Sequence, residues 1–402
     1  MEATVILKKG EGRTIKAGGA WIFDNEIDTV NGEYENGAMV KVHDFDGYPM
    51  GIGFINQDSK IRIRMMTINP ECIIDRQFLR MRVKNAWEYR KTVLKTEDLD
   101  ACRIIFGEAD FLPGLVIDKY HDVLVVESLA LGIDKLKSII VEELVTILVN
   151  DGFPIKGVYE RSDAAVRKKE GMVPTKGFLT SVFDTNVEIK ENGVRYTIDV
   201  VNGQKTGFFL DQKYNRLAMQ RICKGKTVLD CFTHMGTFAL NAGLAGAESV
   251  LGLDISEYAI NQAEHNARLN GLEKTVRFKC ANVLDELPDM ASRGEKFGVV
   301  ILDPPAFTKS REATKNAIKG YREINMKGLK LVKDGGYLAS CSCSHFMTQE
   351  LLAKVIAQAA QATHKRLRQV EFRTQSPDHP ILWSADESYY LKFYIFQVVD
   401  EK

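Results

Sequence analysis

The sequence predicts an α/β chain whose C-terminal half is a doubly wound parallel sheet, preceded by a β-rich segment and a small α+β segment. Three observations carry this. From about residue 186 strand and helix signals alternate, the pattern of a parallel sheet covered on both faces. Successive strands there end in polar residues, where such sheets bind ligands. The first seventy residues hold short β-rich runs between Gly, Asn and Asp turns.

The length of 402 residues suits two or three domains, with boundaries expected at 1–70, 71–185 and 186–402. Hydrophobic residues at 45% and charged residues at 27% fit ordinary globular domains. No apolar run approaches the roughly 20 residues of a membrane span. The greasiest stretch, Ile139 to Val149, is broken by Glu142 and Glu143. The first residues lack a signal-peptide pattern, so a cytoplasmic protein without membrane partners is expected. Seven cysteines at wide, irregular spacing imply reduced thiols and no four-ligand metal site. Lysine plus arginine equals aspartate plus glutamate at 54 each, so any RNA-binding face must be local.

The first strands are expected at Thr4–Leu7, Ala38–Val42, Gly51–Ile55 and Ile61–Met66. In the last, Arg62 and Arg64 share one face, which is either solvated or an RNA contact. From Asp75 to Thr96 the period becomes helical. Phe78, Leu79, Val83, Ala86 and Trp87 form an apolar face, and Arg76, Arg80, Lys84, Lys91 and Lys95 lie off it. That basic face has the same two readings. Strands at Ala101–Phe106, Val116–Asp118 and Val123–Ser128, a helix at Lys135–Val149 and a strand at Gly157–Glu160 make the α+β segment. A hairpin turns at Glu191-Asn-Gly-Val194. Strands at Thr227–Asp230, Ser249–Asp254, Val276–Ala281, Val299–Asp303 and Gly336–Ser342 then alternate with helices at Thr237–Ala245, Glu257–Asn270, Ala313–Leu331 and Gln349–Thr363.

The strand ends suggest the cofactor. Asp230 closes the first strand and leads through Phe232 to Gly236, where a missing side chain lets backbone approach a ligand. Asp254 closes the next strand, followed by Ile255 and Ser256; an acid there accepts bonds from ribose hydroxyls. Asn282 and Val283 follow the third strand, where a polar group meets an adenine edge. A phosphate-binding glycine cluster is missing, which favours S-adenosylmethionine over NAD. Each acid alone is equally a loop or helix-cap residue. Four in consecutive β-α units favour the cofactor reading.

The fourth strand ends in Asp303-Pro304-Pro305-Ala306-Phe307. Two prolines stiffen this loop, which then presents Asp303 to a flat nucleobase edge, with Phe307 available to stack. The fifth strand carries Cys341 and Cys343. A thiolate added to carbon 6 of a pyrimidine makes carbon 5 nucleophilic towards a methyl donor. Cys343 lies nearer the pocket mouth and is the candidate nucleophile, with Asp303 holding the base. His345 is either a base for the carbon-5 proton or a packing residue. The segment Asn202–Arg216, with Lys205, reads as a lid or as a connecting turn.

These motifs resemble one family. Gly203-Gln-Lys-Thr-Gly-Phe-Phe-Leu-Asp-Gln-Lys, Val228-Leu-Asp-Cys-Phe-Thr, Leu253-Asp254, Asp303-Pro-Pro and Ser342-Cys343-Ser344 are similar to those of the ribosomal large-subunit RNA methyltransferase I family. The resemblance implies an N-terminal PUA RNA-binding domain, a central α+β domain and a C-terminal class I methyltransferase domain. It further implies S-adenosylmethionine as cofactor, 23S ribosomal RNA as partner, 5-methylcytosine as product, and Cys343 as nucleophile. Asp230, Asp254, Asn282 and Asp303 then surround cofactor and base, and Arg62, Arg64, Arg80, Lys84 and Lys205 are the RNA-contact candidates. A homodimer is also conceivable. The chain departs from the family's pattern at His234-Met-Gly-Thr237 and at Asn282, where an acid is usual. The rival readings are a purine rRNA methyltransferase without covalent intermediate and a non-catalytic RNA-binding assembly protein.

Overall fold

The computed structural model describes residues 3–307 and 313–400. The chain divides into two units. The first holds residues up to Ile189 together with Ile198–Leu210 and Pro377–Ser388; the second holds Lys190–Thr197, Asp211–Ser376 and the chain from Tyr389 onward.

The N-terminal unit opens with a six-stranded sheet ordered Trp21–Phe23, Ile61–Thr67, Pro49–Ile55, Met39–His43, Thr4–Leu7, Ile27–Asn31. Alternation drives it. Val5, Leu7, Val40 and Val42 point inward and pack with Ile22, Ile55 and Ile63. Two of its strands escaped the sequence reading. Trp21–Phe23 is only three residues long, and Ile27–Asn31 shows no buried position. A second sheet runs Thr175–Phe178, Gly157–Ser162, Val123–Ser128, Leu115–Tyr120, Ala101–Phe106. The expected helix forms at Arg76–Val93, started by the Asp75 carboxylate accepting the Phe78 amide at 2.8 Å. It buries the predicted face, Phe78, Leu79, Val83, Ala86 and Trp87, and packs on helix Leu131–Asn150.

The structure corrects one RNA-contact expectation. Arg64 is buried, with its guanidinium gripping both Glu170 oxygens at 2.9 Å. Asn56 and Ser59 complete the shell around that carboxylate. The apolar–basic alternation signalled a polar strand face, but an acid more than a hundred residues away occupies it. Arg62 donates to the Asn56 carbonyl at 3.2 Å and Arg80 pairs with Glu143 at 2.7 Å. Lys84 is exposed, and the exposed Lys205 lies 4.7 Å from the Phe209 ring.

The C-terminal unit is a seven-stranded sheet. Its strands are β1 (Thr227–Cys231), β2 (Ser249–Asp254), β3 (Val276–Cys280), β4 (Phe297–Leu302), β5 (Val332–Ser342), β6 (Lys365–Arg373) and β7 (Lys392–Asp400). Their order is β3-β2-β1-β4-β5-β7-β6, parallel except for β7, which runs antiparallel to both neighbours. The helices are α1 (Lys213–Cys223), α2 (Thr237–Leu244), α3 (Glu257–Leu269), α4 (Val283–Ser292), α5 (Thr314–Leu331) and α6 (Gln349–Ala362). Central strands read as continuous apolar runs because both faces are covered: β4 is buried from Gly298 to Leu302. The order reverses between β1 and β4, which opens a crevice at the carboxyl ends of those strands.

Strands β6 and β7 and helix α4 were not read from the sequence. Lys365–Arg373 carries too many charged residues to resemble a strand, since it is an edge with one face open. Pro288 inside α4 disguised that helix. Strand β7 matters for the site, because it places Lys392 opposite Ser342 on β5.

Candidate active site

The turn from β1 into α2 is backbone-strained. Phe232, His234 and Gly236 all have positive φ, at 64°, 52° and 82°. Only glycine adopts that region freely. Asp230 holds the turn together. Its Oδ2 accepts from the Thr233 hydroxyl and from the Ala239 amide at 2.9 Å. Its Oδ1 is buried and makes no hydrogen bond among the described residues. Burial pushes this carboxyl up to about 7, opposed by the Thr233 bond and aided by the charge of Asp303.

Gly236 also serves packing. A Cβ there would meet the Phe278 ring at 2.8 Å, so the missing side chain makes room for Phe278 from β3. Asp254 sits at the end of β2, half-buried. Its Oδ2 accepts the His234 amide and its Oδ1 the Ser256 amide, both at 2.9 Å. Ile255 beside it is 71% exposed, an apolar side chain left open at a strand end. Ser256 caps α3 and Asn282 caps α4, accepting from the Leu284 amide at 3.1 Å. Asn282 is exposed. Val283, expected at the cofactor, has its side chain in the core with Leu287 and Met290. Helix amphipathicity explains the placement of that side chain: the first turn of α4 turns its apolar face to the sheet.

Across the crevice, β4 ends at Leu302 and delivers Asp303. Gln212 reaches it from the turn before α1. Its Nε2 donates to both Asp303 oxygens at 3.1 Å and to the Cys341 sulfur at 3.2 Å. The amide cannot rotate freely, because its Oε1 accepts from Asn215 at 2.6 Å and Asn215 Oδ1 accepts from Arg373 at 3.1 Å. Burial raises the Asp303 carboxyl to about 6; bonds from Cys341 and Gln212 pull it down and the charge of Asp211 pushes it up. That carboxyl can hold or release a proton near neutrality.

The two cysteines of β5 part company here. Cys341 is fully buried, and burial followed by the Asp303 charge holds its thiol protonated. Cys343 lies just past the strand and is half-buried. On β5's other face the Ser342 hydroxyl donates to Tyr321 at 2.9 Å. Phe307, expected to stack on a base, packs against Tyr321 with ring centroids 4.8 Å apart. Pro304 is buried and Pro305 exposed. His345 is exposed, with Nδ1 3.5 Å from the Tyr389 carbonyl.

The residues fit an adenosine-bearing cation. The orphaned Asp230 oxygen, the Asp254 carboxylate, the open face of Ile255 and the half-buried Phe232 supply acceptors and apolar surface. Among the described residues no group of His, Cys, Asp and Glu side chains has metal-binding geometry. Among the described residues no helix is long and apolar enough to cross a membrane. Sequence reasoning missed Gln212 and Lys392. Gln212 fell inside a motif assigned to a lid, and its fixed spacing before the helix was the available signal.

Comparison with known proteins accords with this architecture. A family model described as S-adenosylmethionine-dependent methyltransferase matches residues 177–394, and a PUA-like domain matches residues 5–67. A protein of Shewanella frigidimarina named ribosomal RNA large subunit methyltransferase I is 39% identical over 99% of this chain and 100% of its own length. One of the same name from Alteromonas mediterranea is 37% identical over 100% of both. Among solved structures, a candidate SAM-dependent methyltransferase from Streptococcus mutans superposes with TM-score 0.81 at 18% identity, over 99% of this chain and 100% of that one. A candidate methyltransferase solved with SAH gives TM-score 0.83 at 18% identity and the same coverage.

Proposed function

The chain belongs to the ribosomal RNA large subunit methyltransferase I family, and from that premise we propose that it methylates carbon 5 of a cytidine in large-subunit rRNA through a covalent bond to Cys343. As a member of the family it is an S-adenosylmethionine-dependent rRNA methyltransferase with a PUA-like domain. The finer claim is supported by one observation: adjacent strand ends bring a near-neutral carboxyl, Asp303, into one hydrogen-bonded cluster with Cys341, two residues before Cys343.

The cofactor supplies an electrophilic methyl group; the remaining chemistry is the chain's. The Cys343 thiolate adds to carbon 6 of the flipped-out cytosine. Electron density moves to carbon 5 and N3, and Asp303, with its raised pKa, holds a proton at N3. Carbon 5 takes the methyl group. Loss of the carbon-5 proton to a base and expulsion of the sulfur restore the ring. The Gln212–Asn215–Arg373 relay keeps Asp303 aimed, so its position does not have to be organised during the reaction. Cys341 is a buried neutral thiol and takes no nucleophilic part. The RNA is a ribosomal segment, most simply 23S rRNA, held in part by the PUA-like domain.

The test is methyl transfer to rRNA from a strain lacking the enzyme, with the modified nucleoside read by mass spectrometry. Wild type should yield 5-methylcytidine and Cys343→Ala none, while Cys341→Ala keeps the product. A methylated purine, or full turnover by Cys343→Ala, removes the covalent reading.

A further inference from the structure

Lys392 is an ionisable side chain that the mechanism above does not use. It starts β7, opposite Ser342, and is 1% exposed. Its Nζ donates to the Ser344 carbonyl at 2.7 Å and the Tyr390 carbonyl at 3.1 Å, and lies 5.2 Å from the Tyr389 ring. All three partners are neutral, and among the described residues no carboxylate bonds to it. Buried ammonium groups are normally matched by an acid, because desolvation disfavours the charge otherwise.

The charged or titratable groups that act on Lys392 through space are Cys341, Cys343 and Glu350, with the sulfurs ahead of the acid. Burial lowers its pKa to about 8, and those neighbours work against the fall. Cys341 is held as a neutral thiol, and Tyr321, which Cys343 acts on through space, is held as a neutral phenol by burial. Cys343, half-buried just past the strand, is the other sulfur beside this ammonium. The Ser344 carbonyl that receives the short bond directly follows Cys343 in the chain, so the same lysine fixes the turn that carries the sulfur.

We propose that Lys392 is a positioning residue for Cys343: its buried ammonium is the counter-charge that favours the thiolate, and its bond to Ser344 holds the sulfur-bearing turn in place. The inference rests on Cys343 being the nucleophile and says how it is activated. A thiolate formed before substrate arrives needs a positive charge near it that water does not screen. A lysine buried against the carbonyl of the residue that follows Cys343 provides it. As the amine loses its proton above about pH 8, that support is withdrawn.

The experiment is iodoacetamide alkylation of Cys343 in the full-length protein as a function of pH, quantified by peptide mass spectrometry. Wild type is compared with Lys392→Met, Lys392→Gln and Lys392→Arg. Methionine matches the lysine stem in volume; glutamine keeps a donor for the Ser344 carbonyl and removes only the charge. Both neutral variants should raise the alkylation midpoint of Cys343 by about one pH unit or more, and arginine should return it towards wild type. A midpoint unmoved in whichever neutral variant melts cooperatively overturns the proposal. Alkylation is read without methyl transfer, so the two ideas fail separately. Full turnover by Cys343→Ala removes the nucleophile, whereas an unshifted midpoint removes only the role of Lys392.

Discussion

The two units of this chain treat buried charge in opposite ways. In the N-terminal unit arginines are matched by carboxylates: buried Arg64 by Glu170, buried Arg90 by Asp110, and half-buried Arg103 by Asp118 with both bonds at 2.7 Å. At the strand ends of the C-terminal unit, Asp230, Asp303 and Lys392 are desolvated without a hydrogen-bonded ion of opposite sign among the described residues. The same unit also holds a matched pair, with buried Arg216 on Glu191 at 2.6 and 2.8 Å. Among the described residues these desolvated groups gather at the strand ends that form the candidate site. Folding stability is given up there to keep groups poised near neutrality.

The largest effect on stability should come from breaking a matched pair. Arg64→Met leaves the Glu170 carboxylate buried and uncompensated, and should destabilise the protein by about 3–5 kcal/mol. Adding Glu170→Met should recover most of the loss. Urea unfolding of both variants reads this, and a single mutant as stable as wild type would contradict the pairing argument. The opposite behaviour is expected across the crevice. Asp303→Asn should lower kcat by roughly 10²–10³-fold, the range for removing one preorganised polar group. Its melting temperature should stay unchanged or rise. A large fall in stability with modest loss of turnover would place Asp303 among the structural carboxylates.

The sequence made one side of this contrast readable. Asp230, Asp254, Asp303 and Cys343 were found because each stands where a β-strand stops, and apolar runs mark strand ends clearly. Partners distant in sequence were invisible. Arg64 looked like an RNA contact because nothing local discloses Glu170, and Lys392 lies on a strand whose antiparallel insertion has no periodic signature. Gly236 was singled out for backbone approach to a ligand, and its packing against Phe278 from β3 was not legible locally. Val283 shows the same limit: its position in the chain suggested the cofactor, while its helix face assigned it to the core.

Acidity offers a finer probe of the unmatched side. Asp230 has a folded pKa of about 7 against an ordinary value of 3.8. The native state therefore holds a proton between roughly pH 4 and 7 that the unfolded chain has released. The stabilisation from this group is complete below pH 4 and is lost as pH rises through 7. The cofactor-free protein should melt progressively lower from pH 5 to pH 8, and Asp230→Asn should flatten that slope. The variant should also bind S-adenosylmethionine about tenfold more weakly, because the buried Oδ1 would no longer offer a charged acceptor. A pH slope left intact by the substitution would show that Asp230 is ionised in the folded protein.

The smallest expected effect concerns Asn282, which the two units' contrast leaves on the boundary between structure and site. As the cap of α4 it accepts from the Leu284 amide and donates to Asp285 at 2.8 Å. A capping role alone predicts that Asn282→Ala destabilises by about 1 kcal/mol and that Asn282→Asp, an equally good cap, is neutral to the fold apart from repulsion with Asp285. A role at the adenine edge predicts something different. Asparagine presents both an amide donor and a carbonyl acceptor, whereas aspartate offers acceptors only. Aspartate meets the adenine amino group directly, so Asn282→Asp should tighten S-adenosylmethionine binding a few-fold in calorimetry while alanine weakens it. Equal affinity in all three proteins would assign Asn282 to the helix alone and move the boundary of the site back to Ile255 and Asp254.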